Sequence, residues 1–184
     1  MLSILPIACR GESVPLIQIG VDYHYNLGLT QKLMGESIHK KDFNMYGNSL
    51  HITLLYNLST KYTIGIGTGF DAYRPSANTL PLFATFRYHP LQQEKLKHLY
   101  CFTNLGYSIP VDDDDLLSSG WMFDIGVGWQ KMFYRHFGIN LQLGYNLKEF
   151  KANRHYYDKP TEEYLTNKFN ILRNSLALGF GVVF

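Results

Sequence analysis

Nine ionisable side chains raise the first question of this 184-residue sequence: Asp22, His24, His51, Asp71, Arg87, His89, Asp124, Lys148 and Arg173. All fall on the alternate positions that also carry the glycines, among them Gly65, Gly67 and Gly69, then Gly126 and Gly128, then Gly179 and Gly181. The positions between carry Leu, Ile, Val, Phe, Tyr and Trp. Mixed acids and bases on one face, with apolar bulk on the other, suit charges that pair with one another away from water. Buried charges persist only when paired and hydrogen-bonded.

Catalysis and metal binding have less support. "RHYYDKP" brings together Arg154, His155 and Asp158, and "HKK" places Lys40 and Lys41 in an earlier connection. His155 could act as a base with Asp158 three residues on, but no serine stands in a recognisable relation to them. "VDDDDLLSSG" supplies Asp112, Asp113, Asp114 and Asp115, oxygen ligands of the kind calcium prefers. Their spacing lacks the alternate ligands and central glycine of a helix–loop–helix calcium site. Cys9 and Cys101 are the only cysteines, so no disulfide framework or cysteine metal site is implied. No catalytic set, metal or cofactor is expected, and Lys40, Lys41, Arg154, His155 and Asp158 stand as candidate binding residues.

The elements that would position these residues are strands. Period-2 alternation recurs near 15–28, 47–58, 61–73, 80–89, 99–109, 121–133, 137–148 and 169–184, with little helical periodicity between. Pro15 and Pro81 open strands in this reading, Pro90 and Pro110 close them, and Pro75 and Pro160 sit in loops. Connections alternate in length: "LST" and "YRH" are tight turns, and "PLQQEKLKH" closes the same side. "TQKLMGESIHKKDFNMY", "RPSANT", "VDDDDLLSSG" and "EFKANRHYYDKPTEEYLTN" lie on the other side and are mostly longer. That asymmetry describes an up-and-down antiparallel barrel of eight strands, an all-β fold.

Two magnitudes decide which face looks outward. Eight strands enclose a lumen just wide enough for side chains to fill, so the bulky parity does not fit inside. A glycine on a water-facing strand would lose about 0.5–1 kcal/mol relative to alanine with nothing gained, whereas inside a narrow barrel it makes room for a long side chain from across the lumen. The apolar parity therefore faces lipid, where a mid-membrane Arg or Lys would cost about 2–4 kcal/mol. Lys131 is the exception, close enough to the "FYRH" turn to snorkel. Tyr56, Tyr62, Trp121, Trp129, Phe133 and Phe137 lie near strand ends, as aromatic girdles do. A soluble lipocalin-like ligand-binding barrel, with the bulky parity turned inward, is the alternative fold reading. The fifth strand has the least certain register, because Tyr100 and Phe102 crowd its inner face.

The closing strand "NSLALGFGVVF", ending on Phe184, resembles the C-terminal insertion signal of bacterial outer-membrane barrels. With the eight-strand pattern, residues 15–184 resemble the small OmpX- and OmpA-type barrels. The resemblance implies a transmembrane β-barrel in the outer membrane of a gram-negative bacterium. It also implies contact with outer-membrane lipids including lipopolysaccharide, and with the barrel-assembly machinery during insertion. It implies no particular activity. A structural or surface-interaction role through the outer loops is expected, by a monomer that is not a wide pore. A lipid-active enzyme at the outer leaflet, by acyl transfer or deacylation, is the alternative.

Residues 1–14 form an apolar lead-in, read either as a short extension or as the remnant of a secretory signal. The net charge of +2, without a dense Lys/Arg block, argues against a nucleic-acid partner. No apolar run approaches the length of a membrane-spanning helix.

Overall fold

The computed structural model describes residues 15–33, 36–39, 45–74, 77–90, 96–111, 117–134, 137–158 and 163–184. Ten strands are present: β1 (Ile17–Leu33), β2 (Glu36–His39), β3 (Tyr46–Asn57), β4 (Tyr62–Tyr73), β5 (Ala77–Tyr88), β6 (Leu99–Pro110), β7 (Leu117–Ser118), β8 (Gly120–Tyr134), β9 (Phe137–Asp158) and β10 (Glu163–Val183). Eight of them close a barrel in the order β10-β1-β3-β4-β5-β6-β8-β9, with β9 returning to β10. Every pairing is antiparallel. The short β2 and β7 add to β1 and β9 at one end.

The alternation that marks the strands also orients them. On β3, Leu50, Ile52, Leu54 and Tyr56 are exposed, while Ser49, His51, Thr53 and Leu55 are buried. The extremes are wide apart: Ile66 is 62% exposed, whereas Lys148 and Asp71 are 0% exposed. The bulky parity points outward, and a barrel with that bulk turned into its cavity does not describe this chain. Trp121 and Trp129 are eight positions apart on β8, about 26 Å of strand, or about 20 Å along a barrel axis at the usual tilt. Tyr107 packs edge-on against Trp121 at one level, and the Phe137 and Phe184 rings pack at a tilt at the other.

Several strands run further than the pattern predicts. β9 and β10 pair without a break from Gly138↔Val183 to Glu163↔Asp158, so most of the expected fourth long loop is a two-stranded ribbon. Arg154, His155 and Asp158 accordingly lie on β9, paired with Asn167, Thr166 and Glu163. The ladder continues past segments 137–148 and 169–184, which are all that the alternation marks. β1 continues past Gly28 through a bulge: Gly28 pairs with Ser175 and Thr30 with Asn174, leaving Leu29 extra. The bulge exchanges the two parities, and so conceals the rest of the strand from period-2 reading.

Pro81 does not open a strand, because β5 begins at Ala77. It pairs with Ser108 on β6, while the β4–β5 ladder is interrupted between Thr68↔Leu82 and Asp71↔Thr79. The missing proline N–H falls in that gap. Tyr100 and Phe102 do point inward, opposite Gly128 and Gly126 on β8. A Cβ at Gly128 would meet the Tyr100 ring at 2.2 Å, and one at Gly67 would meet the Phe83 ring at 2.4 Å. The large side chain over each of these glycines comes from the adjacent strand, not from across the lumen as expected.

Candidate functional site

Inward side chains tie the walls of the barrel to one another. β4 and β9 are four places apart in either direction round the eight strands, so Asp71 and Lys148 start from opposite walls. The Lys148 ammonium nevertheless donates to Asp71 Oδ2, while His51 Nε2–H donates to Asp71 Oδ1 at 2.9 Å. One carboxylate thus joins three strands. Removing either charge from such a buried pair strands the other, at about 3–5 kcal/mol.

A second set of ties runs nearer the chain termini. Asn140 Nδ2 donates to Asp22 Oδ1 at 2.6 Å, and the Tyr100 hydroxyl donates to Asn140 Oδ1 at 2.6 Å. Gln142 Nε2 donates to the Tyr100 oxygen at 2.9 Å, and its Oε1 accepts from His24 Nε2–H at 2.7 Å. The His24 and His51 rings lie 5.0 Å apart, which links this set to the Asp71 cluster. Asp124 accepts from Asn104 and Asn146 at 3.2 and 2.5 Å. Toward the turn end, Arg87 Nη1 donates to Gln130 Oε1 at 3.1 Å, and Gln130 donates on to Gln18 at 3.2 Å. Arg87 also lies 5.0 Å over the Tyr100 ring.

Two residues follow a different pattern. His89 lies beyond the end of β5, its ring 5.4 Å from Tyr100. Burial and the nearby Arg87 charge hold its imidazole below the usual range. Arg173, at the hairpin end, has Nη1 on the Arg74 carbonyl at 2.9 Å and its guanidinium 4.7 Å over the Tyr73 ring. Tyr73 packs edge-on against Phe150, with Ile171 beside them.

The structure therefore brings Asp71, Lys148, His51 and His24 into one cluster and joins Asp22 to it through amides and Tyr100. Asp124 is held by amides, Arg87 and His89 pack against the Tyr100 ring, and Arg173 sits over Tyr73. The inward position of Tyr100 is legible in the sequence, whereas these amides and the inward Tyr73 are not among the residues expected in the polar network. Asn140, Gln142, Asn146 and Gln130 share the charged residues' parity, and that was the signal available for them. Among the loop candidates, Lys40 and Lys41 lie outside the described residues, as do residues 1–14 and Asp112, Asp113, Asp114 and Asp115. Phe184 is exposed, its backbone N–H and carbonyl both bonded to Ile19.

No protein-family model matches the sequence, and no curated protein matches it. Solved structures do. The chain is similar to the crystal structure of the outer membrane protein OprG from Pseudomonas aeruginosa, at 15% identity and a TM-score of 0.52, covering 91% of this chain and 95% of that one. It is also similar to the solid-state NMR structure of the outer membrane protein AlkL in DMPC lipid bilayers. That match has 12% identity and a TM-score of 0.55, and covers 100% of this chain and 97% of the other. The shared property is the fold, a small closed antiparallel β-barrel.

Proposed function

We propose that this barrel is an integral protein of a gram-negative outer membrane, with no wide pore and no catalytic centre, acting as a structural element or through its hairpin-end surface. The observation that supports the membrane reading most directly is the outer wall. It is apolar between two aromatic levels, while the Asp, His, Lys and Arg side chains of the strand segments between those levels are turned inward. The cross-lumen ties support a closed interior: Lys148 on Asp71 spans the barrel. The β9–β10 ribbon and the connections beside it supply the surface for contact with lipopolysaccharide or other partners. Lys40, Lys41, Arg154, His155 and Asp158 are the first residues to vary there.

Detergent dependence and heat-modifiability test the membrane reading. A compact, fast-migrating band before boiling, obtained only from detergent or lipid, is expected. A chain folded and soluble without detergent would overturn it. Planar-bilayer recording tests the interior, with no open-channel steps expected from the wild type. Steady conductance at the level of a water-filled channel would refute the closed lumen.

A further inference from the structure

We propose that the hairpin end of the lumen binds an oxyanion, a phosphate or carboxylate group, on the free edge of Arg173. Arg173 is 2% exposed. Its Nη1 is occupied by the Arg74 carbonyl and one face of its guanidinium by the Tyr73 ring. Its remaining donors, Nε and Nη2, are both buried without a hydrogen-bond partner. These two nitrogens form one edge of the guanidinium, the fork whose spacing matches two oxygens of a carboxylate or phosphate. Among the described residues no carboxylate is within ion-pair distance of it.

The surroundings agree in sign. The hydroxyls of Tyr73 and Ser175 are also buried without partners. Ser175 lies two residues along β10 from Arg173 and so on the same face, opposite Gly28. A Cβ at Gly28 would stand 3.2 Å from Arg173 Nη2 and 2.4 Å from Met45 Cβ, so glycine keeps the guanidinium from being crowded on that side. Nearby Lys148, by contrast, is already neutralised by Asp71. Water could satisfy the spare donors of Arg173 but would leave its charge uncompensated, and an oxyanion does both. A free anion and the phosphate of a lipid headgroup offer the same chemistry. The site lies in the lumen and does not depend on what the outer connections recognise.

The test is thermal unfolding of the full chain in maltoside micelles, which contain no phosphate or carboxylate. Inorganic phosphate, acetate and lipid A are added separately, with chloride at matched ionic strength as control. A saturable rise in unfolding temperature is expected for the wild type. Arg173→Lys, which keeps the charge but loses the fork, should weaken the apparent affinity about ten-fold, and Arg173→Met should abolish the response. An Arg173-dependent response to phosphate or acetate identifies a free anion as the occupant, and one to lipid A alone identifies a headgroup. Equal behaviour of wild type and Arg173→Lys toward all three additions would overturn the site, even if Arg173→Met failed to fold.

Discussion

Lys148 and Arg173 face each other across one rung of the β9–β10 ladder, and both lie within about 5 Å of the same Tyr73 ring. Both are buried. Their partners differ. Lys148 reaches across the barrel to a carboxylate that His51 also holds, whereas Arg173 meets a backbone carbonyl and an aromatic face. Two like charges at one level of one wall are therefore stabilised by different means, a fixed counter-charge for the first and a backbone carbonyl with an aromatic face for the second. The position of a charge in the lumen says less about its energetics than what lies at its tip.

The sharpest way to break the comparison is to truncate each cation. Lys148→Met leaves Asp71 buried with only His51, and a loss of about 3–5 kcal/mol is expected from urea unfolding in lipid vesicles. A loss below 1 kcal/mol would mean that the ion pair is not the cross-tie described. Leucine at position 71 together with methionine at 148 should recover most of that loss, because apolar replacement of both partners is often neutral. If the double variant were no more stable than Lys148→Met, lost packing rather than a stranded charge would be responsible. A cation placed on the opposite face gives the next largest effect: Leu143→Arg, on the outer wall of β9, should lose about 2–4 kcal/mol in vesicles. Insertion without penalty would show that this wall meets water. The smallest change belongs to Arg173→Met without added anion, within about 1 kcal/mol of wild type in either direction. A loss as large as that of Lys148→Met would erase the distinction between the two cations.

How much of this was legible can be argued from the same residues. Asp71 and Lys148 stand on the glycine parity of their strands, and that places both in the lumen. Their pairing could not be read, because it depends on how far each strand is sheared along its neighbours around half the barrel, and alternation carries no record of shear. Tyr100 and Phe102 make the register of their strand hard to read from the sequence, because the room for them comes from Gly128 and Gly126 on the adjacent strand. The long ribbon of β9 and β10 was hidden for another reason. Hydrophobic alternation records the apolar outer wall, and where the ribbon leaves that level the strand persists without the signal. Leu29 shows the last limit, since one extra residue reverses the face of everything after it.

The seam between β1 and β10 has a consequence in time. Around the barrel, each of the other seven junctions joins strands that follow one another closely along the chain, so each can form as soon as its second strand exists. The seam pairs Gly20 with Val183 and ties Ile19 to Phe184. Joining segments that far apart carries a loop-closure entropy on the order of 3 kcal/mol beyond that of a tight turn. It has no local substitute. Until β10 has been made, β1 presents an unsatisfied edge, and a half-assembled sheet exposes at that edge the row of donors and acceptors on which chains stick to one another. The order of events is thereby constrained: curling can begin early, but closure is a single late step that depends on both ends of the sheet meeting in register.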